Sequence, residues 1–158
     1  MLSLINEILD LSKVEAGKID VVVERFSLSV FGDQINRIIQ PLTRKKGLKF
    51  SINIDESLPE YIYNDSQRVQ QILRNLLSNS VKFTEQGFVK LRISRPGSEF
   101  QGRTGLKPEE TIAFEVSDSG IGIPNEKLKL IFNAFQQAEG TTNRKYGEIG
   151  RASCRERV

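Results

Sequence analysis

Histidine is absent from all 158 residues of this chain, which removes the side chain most often used for proton transfer near neutral pH. Any mechanism that needs an imidazole group of this chain is therefore excluded. Cysteine is almost absent as well, since Cys154 is the only one. No internal disulfide can form, and a reducing compartment is favoured.

Long apolar runs and a dominant charge are also missing. No run reaches the roughly 18 apolar residues of a membrane span, and no signal peptide is visible. We therefore expect no membrane segment in this chain and a cytoplasmic location, and leave open an anchor elsewhere in a longer parent protein.

The 23 basic and 20 acidic residues are scattered and give a net charge of only +3. This balance argues against a nucleic-acid partner.

The composition that remains, with 38% hydrophobic and 27% charged residues, is typical of a soluble globular domain. Apolar residues at helical spacing predict a helix that begins at Ser27 or Ser29, is disturbed by Pro41 and ends at Gly47. Asp65 should cap a second helix over residues 66–83. The residues predicted to face inward are Ile35, Ile38, Ile39 and Leu42 on the first helix, and Val69, Ile72, Leu73 and Leu76 on the second.

Alternating apolar and polar residues predict strands at 48–54 and 89–94, with shorter extended segments at 21–26, 61–63 and 112–118. Residues 95–110 are polar, contain Gly and Pro, and should form a loop. This order predicts an α/β fold, an α+β two-layer sandwich with one mixed sheet and helices on one face. Residues 2–16 predict a preceding amphipathic helix, which belongs to a helix bundle or packs on its own domain.

Two short segments carry the chemistry. Asn75, Asn79 and Lys82 are spaced at i, i+4 and i+7, so they share one helix face. An amide oxygen suits Mg²⁺, and a lysine ammonium suits phosphate. Further along, Asp118 is followed by Gly120 and Gly122, where backbone without side chains can approach a flat ligand closely. We interpret the two segments as halves of a Mg·ATP site.

Each of these residues also has a purely structural interpretation. The two asparagines could be polar surface residues, and Lys82 could be a solvated cation at a helix C-terminus. Asp118 and the glycines after it could simply form a turn. Taken singly these interpretations are favoured, and only the joint pattern favours a nucleotide site.

At these residues the chain resembles the ATP-binding domain of sensor histidine kinases, which has the Bergerat fold, over about residues 2–147. Residues 75–84 are similar to the N box of that family, and residues 118–122 to its first glycine box. Residues 131–135 resemble its F box, 141–147 its lid, and 9–17 the end of its second dimerisation helix. The implied organisation is a dimerisation helix up to residue 19, an incomplete catalytic domain over 20–147, and a tail over 148–158.

The resemblance implies a role for each position that matches a motif. Asn79 would coordinate Mg²⁺, Asn75 would support the metal and phosphates during catalysis, and Lys82 would contact phosphate. Asp118 would accept a hydrogen bond from the adenine amino group. In the rest of the pocket, Gly120 and Gly122 would shape the adenine subsite, and Phe83 would sit beside the nucleotide. In the lid, Phe132 and Phe135 would be anchors unless they are simply core residues, and Arg144 would reach the phosphates.

The implied activity is transfer of the ATP γ-phosphate to a protein histidine, for relay to the receiver domain of a response regulator, within a homodimeric parent. ATP-hydrolysing relatives of this superfamily carry a glutamate four residues before the metal-binding asparagine. The position here is Asn75, and an amide is no general base, so hydrolysis should be poor. ATP hydrolysis and an inactive nucleotide-binding scaffold are the alternatives.

Both ends depart from the family pattern. The phosphorylated histidine would lie on a helix before Met1, so this chain cannot be its own substrate. After Gly147 the expected second glycine box is missing, and we interpret residues 148–158 as a non-native tail, the alternative being a divergent natural one. We therefore expect the 158-residue chain to bind ATP weakly and to have little or no activity alone.

Overall fold

The structure is a computed structural model and describes residues 20–97 and 107–124. Two helices and five strands make up this part of the chain. In chain order they are β1 (Glu24–Ser27), α1 (Leu28–Lys45), β2 (Lys49–Ile54), β3 (Tyr61–Asn64), α2 (Ser66–Phe83), β4 (Phe88–Ser94) and β5 (Ala113–Asp118). A short 3₁₀ turn at Pro108–Glu110 precedes β5. The predicted helix at 2–16 lies outside the described residues.

The main sheet is mixed, as predicted, and has the strand order β2-β4-β5. Its central strand β4 is parallel to β2 and antiparallel to β5. The expectation of one sheet needs a correction, because β1 and β3 pair only with each other among the described strands and form a separate antiparallel ribbon. Alternation in the sequence predicts which residues are extended, but it does not specify which strands pair.

One face of the main sheet is apolar and forms the core together with both helices. The strand register places three rows of residues across this face: Ile54, Ile93 and Phe114; Ile52, Leu91 and Val116; and Phe50, Val89 and Asp118. The β4 members of these rows are fully buried, in agreement with the predicted inward side of that strand. The third row ends on a carboxylate, so the core face runs directly into the Asp118 loop.

Helix α2 begins and ends at the predicted residues. Its buried stripe follows a spacing of four residues and consists of Val69, Leu73, Leu77 and Val81. Two of these match the predicted face, whereas Ile72 and Leu76 are only partly buried. The stripe is turned slightly from the predicted one, because the sheet beneath the helix, and not the local pattern, decides which residues it covers.

The inward face of α1 was only half predicted. Ile35 and Ile39 are buried, but Ile38 is 36% exposed and Leu42 43% exposed, so the prediction for these two residues is wrong. The buried stripe instead runs through Leu28, Phe31, Ile35, Ile39 and Thr43. Each of these exposed residues directly precedes a buried one, and successive side chains on a helix are rotated by about 100°, which turns the exposed residue away from the core.

Pro41 does not interrupt α1, although the sequence predicts a disturbance there. The helix continues through Pro41 to Lys45, even though proline lacks an N–H donor and its ring crowds the carbonyl four residues earlier. After the proline, the Thr43 Oγ1 donates to the Gln40 carbonyl at 3.0 Å. Gly47, with a φ of 69°, then turns the chain into β2, as the sequence indicated.

Asp65 joins the beginning of α2 to the segment that enters β1. Its Oδ1 accepts the Arg68 backbone N–H at 2.9 Å, which is the predicted N-cap bond. Its Oδ2 accepts the Val22 backbone N–H at 3.0 Å. These two bonds, that of Arg68 first, hold the pKa of Asp65 below its ordinary value of 3.8. The ionised carboxylate is therefore the form that the folded chain prefers.

The pH dependence of folding should report this cap. A carboxyl whose pKa is lowered by folding adds stability above its unfolded pKa, and that contribution is lost as the pH falls through the lower folded value. The Asp65→Asn variant should therefore be less stable than the wild type at about pH 7, and the difference should shrink below about pH 4. Urea unfolding across this range measures it. Asp33→Asn, a change at an exposed residue of α1, is the control, and its stability difference from the wild type should not shrink in the same way as the pH falls.

Candidate functional site

The two motifs predicted to form one site meet in the structure, at the C-terminal end of α2. The Ile121 backbone N–H donates to the Phe83 carbonyl at 3.4 Å, a long bond that joins the loop after β5 to the last turn of the helix. A Cβ atom added to Gly120 would lie 2.6 Å from the same carbonyl oxygen. Only a glycine allows the loop to pass this close to the helix end.

Three polar residues predicted to bind metal and phosphate lie together on the solvent side of α2. Asn75, Asn79 and Lys82 are all exposed, on the side away from the buried stripe. Phe83 lies four positions after Asn79, which corresponds to about 6 Å along the helix axis. Asn79, Lys82 and the Asp118 loop therefore share one end of the domain, and Asn75 lies about one turn before Asn79.

An aromatic ring marks the boundary between the helix and the loop. Phe83 is 46% exposed, although it is a large apolar residue. The Lys82 Nζ atom lies 4.9 Å from the centroid of this ring, which is cation–π distance. A flat apolar surface and a positive charge are thus adjacent, an arrangement that suits a ligand with a planar part and an anionic part.

Asp118 lies at the end of β5, beside Val89 in the sheet register, and is partly buried. Its Oδ1 accepts the Gly120 backbone N–H at 2.9 Å, which fixes the carboxylate relative to the loop. Within residues 20–97 and 107–124, no other bond to this carboxylate is found. Within these ranges Oδ2 makes no hydrogen bond.

Thr84 supplies a buried polar group that lacks a partner. Its side chain is fully buried, and within the described part of the chain Oγ1 has no hydrogen bond. A Cβ atom on Gly120 would lie 2.9 Å from this oxygen and 3.0 Å from Asp118 Oδ1, so the hydroxyl borders the Asp118 loop. A buried hydroxyl without a hydrogen bond lowers the stability of the fold.

A serine locks the loop to the turn that follows α2. Ser119 Oγ accepts the Phe88 N–H at 2.9 Å and donates to the Gln86 carbonyl at 3.1 Å. It occupies the space above Gly87, where a Cβ atom would lie 2.1 Å from Oγ and where φ is 111°. Neither Ser119 nor Thr84 was assigned a role from the sequence, because their contacts join segments that are far apart in the chain.

Several predicted site residues cannot be compared with the structure. Phe132, Phe135 and Arg144 lie outside the described residues, as does the whole lid. Gly122 is described and has a φ of 68°, a backbone conformation that favours glycine. Across residues 20–97 and 107–124 there is no group of three or more His, Cys, Asp or Glu residues that could hold a metal ion. In the same ranges no helix is long and apolar enough to cross a bilayer.

Comparison with known proteins identifies the family. Residues 64–158 match the family described as histidine kinase-, DNA gyrase B-, and HSP90-like ATPase, and the chain belongs to it. It is 39% identical over 163 aligned residues to hybrid signal transduction histidine kinase L of Dictyostelium discoideum, an alignment that covers 100% of this chain and 9% of that protein. It is 36% identical over 150 residues to the sensory/regulatory protein RpfC of Xanthomonas campestris, covering 95% of this chain and 20% of the relative.

The fold agrees with the same family. The crystal structure of full-length ShkA in complex with AMPPNP superimposes with a TM-score of 0.73 and 30% sequence identity, over 88% of this chain and 27% of that one. These findings confirm the predicted family, the catalytic domain of sensor histidine kinases, and the predicted α/β fold. The chain spans between 9% and 20% of the length of the two curated relatives.

The close approach at Gly120 gives a direct test of the site geometry. In Gly120→Ala the new methyl group would overlap the Phe83 carbonyl oxygen, and backbone atoms must move to relieve it. We expect a loss of about 1–3 kcal/mol in the free energy of unfolding, measured by urea denaturation. Gly97→Ala is the matched control, because no atom of the described residues, its chain neighbours aside, lies within 4 Å of its added Cβ. Equal losses in the two variants would contradict the contact.

Proposed function

We propose that this chain is the nucleotide-binding part of a protein histidine kinase. It binds Mg·ATP at the C-terminal end of α2 and donates the γ-phosphate to a protein histidine that lies outside these 158 residues. The observation that carries the proposal is the direct contact between the helix with Asn79 and Lys82 and the loop with Asp118. Family membership and the similarity to a kinase solved with AMPPNP support ATP as the ligand.

The Asp118 loop is the proposed adenine subsite. The carboxylate is held by the Gly120 N–H, and Oδ2 can accept a hydrogen bond from an exocyclic amino group. Adenine offers such a group, whereas guanine presents a carbonyl oxygen there, which a carboxylate repels. Gly120 and Gly122 allow backbone to lie along the base, and the exposed Phe83 ring covers its side.

The exposed face of α2 is the proposed phosphate subsite. Lys82 places an ammonium beside the helix end, where it can neutralise phosphate charge. Asn79 offers an amide oxygen of the kind that Mg²⁺ accepts, and Asn75 lies one turn earlier on the same face. Mg²⁺ in nucleotide sites usually keeps several waters and takes most of its other ligands from the substrate phosphates. A single amide ligand is therefore compatible with Mg²⁺ binding, although the described residues contain no carboxylate cluster.

Phosphoryl transfer depends mainly on positioning and charge neutralisation, which these residues can supply. Asn75 cannot abstract a proton from water at neutral pH, because an amide has no suitable protonation change. The chain is therefore suited to retain the γ-phosphate for a protein acceptor.

In the parent protein we propose a response regulator receiver domain as the next acceptor, in line with the relative named as a hybrid signal transduction kinase. Homodimerisation and a lid with Phe132, Phe135 and Arg144 belong to the same proposal.

Nucleotide titration by calorimetry tests the ligand. Loss of a hydrogen bond to a charged group costs about 1.5–3 kcal/mol, so Asp118→Asn should weaken Mg·ATP binding about tenfold or more. Asn79→Ala should also weaken it, and the effect should depend on Mg²⁺. Asn53→Ala, on an exposed position of β2, is the control and should leave affinity unchanged. If the wild type binds no adenine nucleotide, or if all three variants behave alike, the site assignment is wrong.

Hydrolysis is the competing activity within the same family, and phosphate release distinguishes it. Without a protein acceptor we expect steady-state turnover well below about one per second, because no base replaces the missing glutamate. Asn75→Glu should raise this rate. Turnover by the wild-type chain above about one per second would favour an ATPase over a kinase.

A further inference from the structure

We propose that Lys46 is a positioning residue of the nucleotide site: its ammonium fixes the last turn of α2, so that Lys82 and the Asp118 loop keep their relative geometry. The proposal rests on the proposed function for its consequence, although the contact itself is independent of it. Lys46 lies outside the motifs that identified the site. It immediately follows α1, which carries none of the proposed ligand-binding residues.

The side chain of Lys46 reaches the end of the other helix and bonds three of its carbonyl groups. Nζ donates to the Val81 carbonyl at 2.7 Å, to that of Lys82 at 2.9 Å and to that of Thr84 at 3.2 Å. An ammonium has three protons, so this cation uses its whole donor capacity on one helix end. The last carbonyls of a helix lack partners within the helix, and this contact supplies them.

Among the backbone carbonyl groups of residues 81–84, Lys46 bonds all except that of Phe83, which contacts the loop instead. The oxygen of Phe83 accepts the Ile121 N–H instead. Between Val81 and Thr84, every backbone carbonyl thus has a partner outside the helix, either the Lys46 ammonium or the glycine loop. The cation therefore orients the turn from which the Phe83 carbonyl points to the loop.

Lys46 also opposes an unfavourable charge. The C-terminal end of a helix carries a partial negative charge of about half an elementary unit, which repels a nearby polyphosphate. The proposed phosphate subsite lies within the last turns of α2, so this repulsion acts on the ligand. An ammonium on the terminal carbonyls reduces it. Loss of Lys46 should therefore weaken a triphosphate more than an uncharged nucleoside.

The position of Lys46 is fixed by the way α1 ends. Its backbone N–H bonds to the Thr43 carbonyl at 3.1 Å, and Gly47 follows with a positive φ. The next strand is tied to the turn after α2, because the Lys49 N–H donates to the Gly87 carbonyl at 2.9 Å. The segment that follows Lys46 is thus joined to the turn after α2 by a backbone bond as well as by the Lys46 side chain.

Lys45 provides a matched control. It is the last residue of α1, is exposed, and carries the same charge one position earlier. Within the described residues its ammonium makes no bond to α2. Lys46→Met keeps an apolar stem and removes the charge, Lys45→Met does the same without touching α2, and Lys46→Arg keeps the charge with a different donor geometry.

The first measurement needs no nucleotide. Hydrogen exchange followed by mass spectrometry on the 158-residue chain reports the protection of amides in residues 118–124. We expect exchange there to be about tenfold faster in Lys46→Met than in the wild type, unchanged in Lys45→Met, and largely restored in Lys46→Arg. Equal exchange in Lys46→Met and Lys45→Met would overturn the proposal.

The second measurement compares ligands by titration. Lys46→Met should weaken adenosine binding about threefold, because the Asp118 loop loses its position, and Mg·ATP binding about tenfold or more, because the charge also acts on the phosphates. A general loss of structure would weaken both ligands equally, and that outcome would overturn the charge role. If the wild type itself binds neither ligand, the proposed function fails, whereas the exchange result still decides whether Lys46 positions the loop.

Discussion

The Phe83 carbonyl group is the point on which the geometry of the site depends. It accepts the Ile121 N–H and lies so close to Gly120 that no other residue fits there without movement. Through this peptide group the end of α2 contacts the loop after β5, and the bonds of Ser119 to Gln86 and Phe88 support the same arrangement. The contact brings the polar face of the helix and the carboxylate on the loop to the same part of the molecule.

Tight backbone packing surrounds this point. Gly87 and Gly120 leave room for Ser119 and for the helix end respectively, and each glycine is needed because a neighbouring atom occupies the place of a Cβ. Lys46, which follows α1, satisfies the remaining carbonyls. The polar groups of the proposed site are carried by elements whose other faces are buried in the core. In this domain of the histidine kinase-like ATPase family the proposed site is thus built on packed elements.

The sequence predicted α2 well because its signals are local. Asp65 is an N-cap with a side-chain acceptor, and the apolar spacing that follows is long and regular. The same reasoning failed at Ile38 and Leu42, because α1 offers two adjacent apolar stripes and only the packed sheet selects between them. The site residues could be named from short motifs and their resemblance to a known family. Lys46 and the Thr84 hydroxyl could not, since their roles depend on contacts between segments distant in the chain.

The Thr84 hydroxyl has a thermodynamic consequence. In the described part of the chain it is buried without a partner, and a buried hydroxyl without a hydrogen bond lowers the stability of the fold beside the proposed site. Any molecule that binds the folded chain and not the unfolded one shifts the folding equilibrium by mass action. Occupancy and folding are therefore linked, and the melting temperature of this domain becomes a function of the concentration of the molecule that it holds.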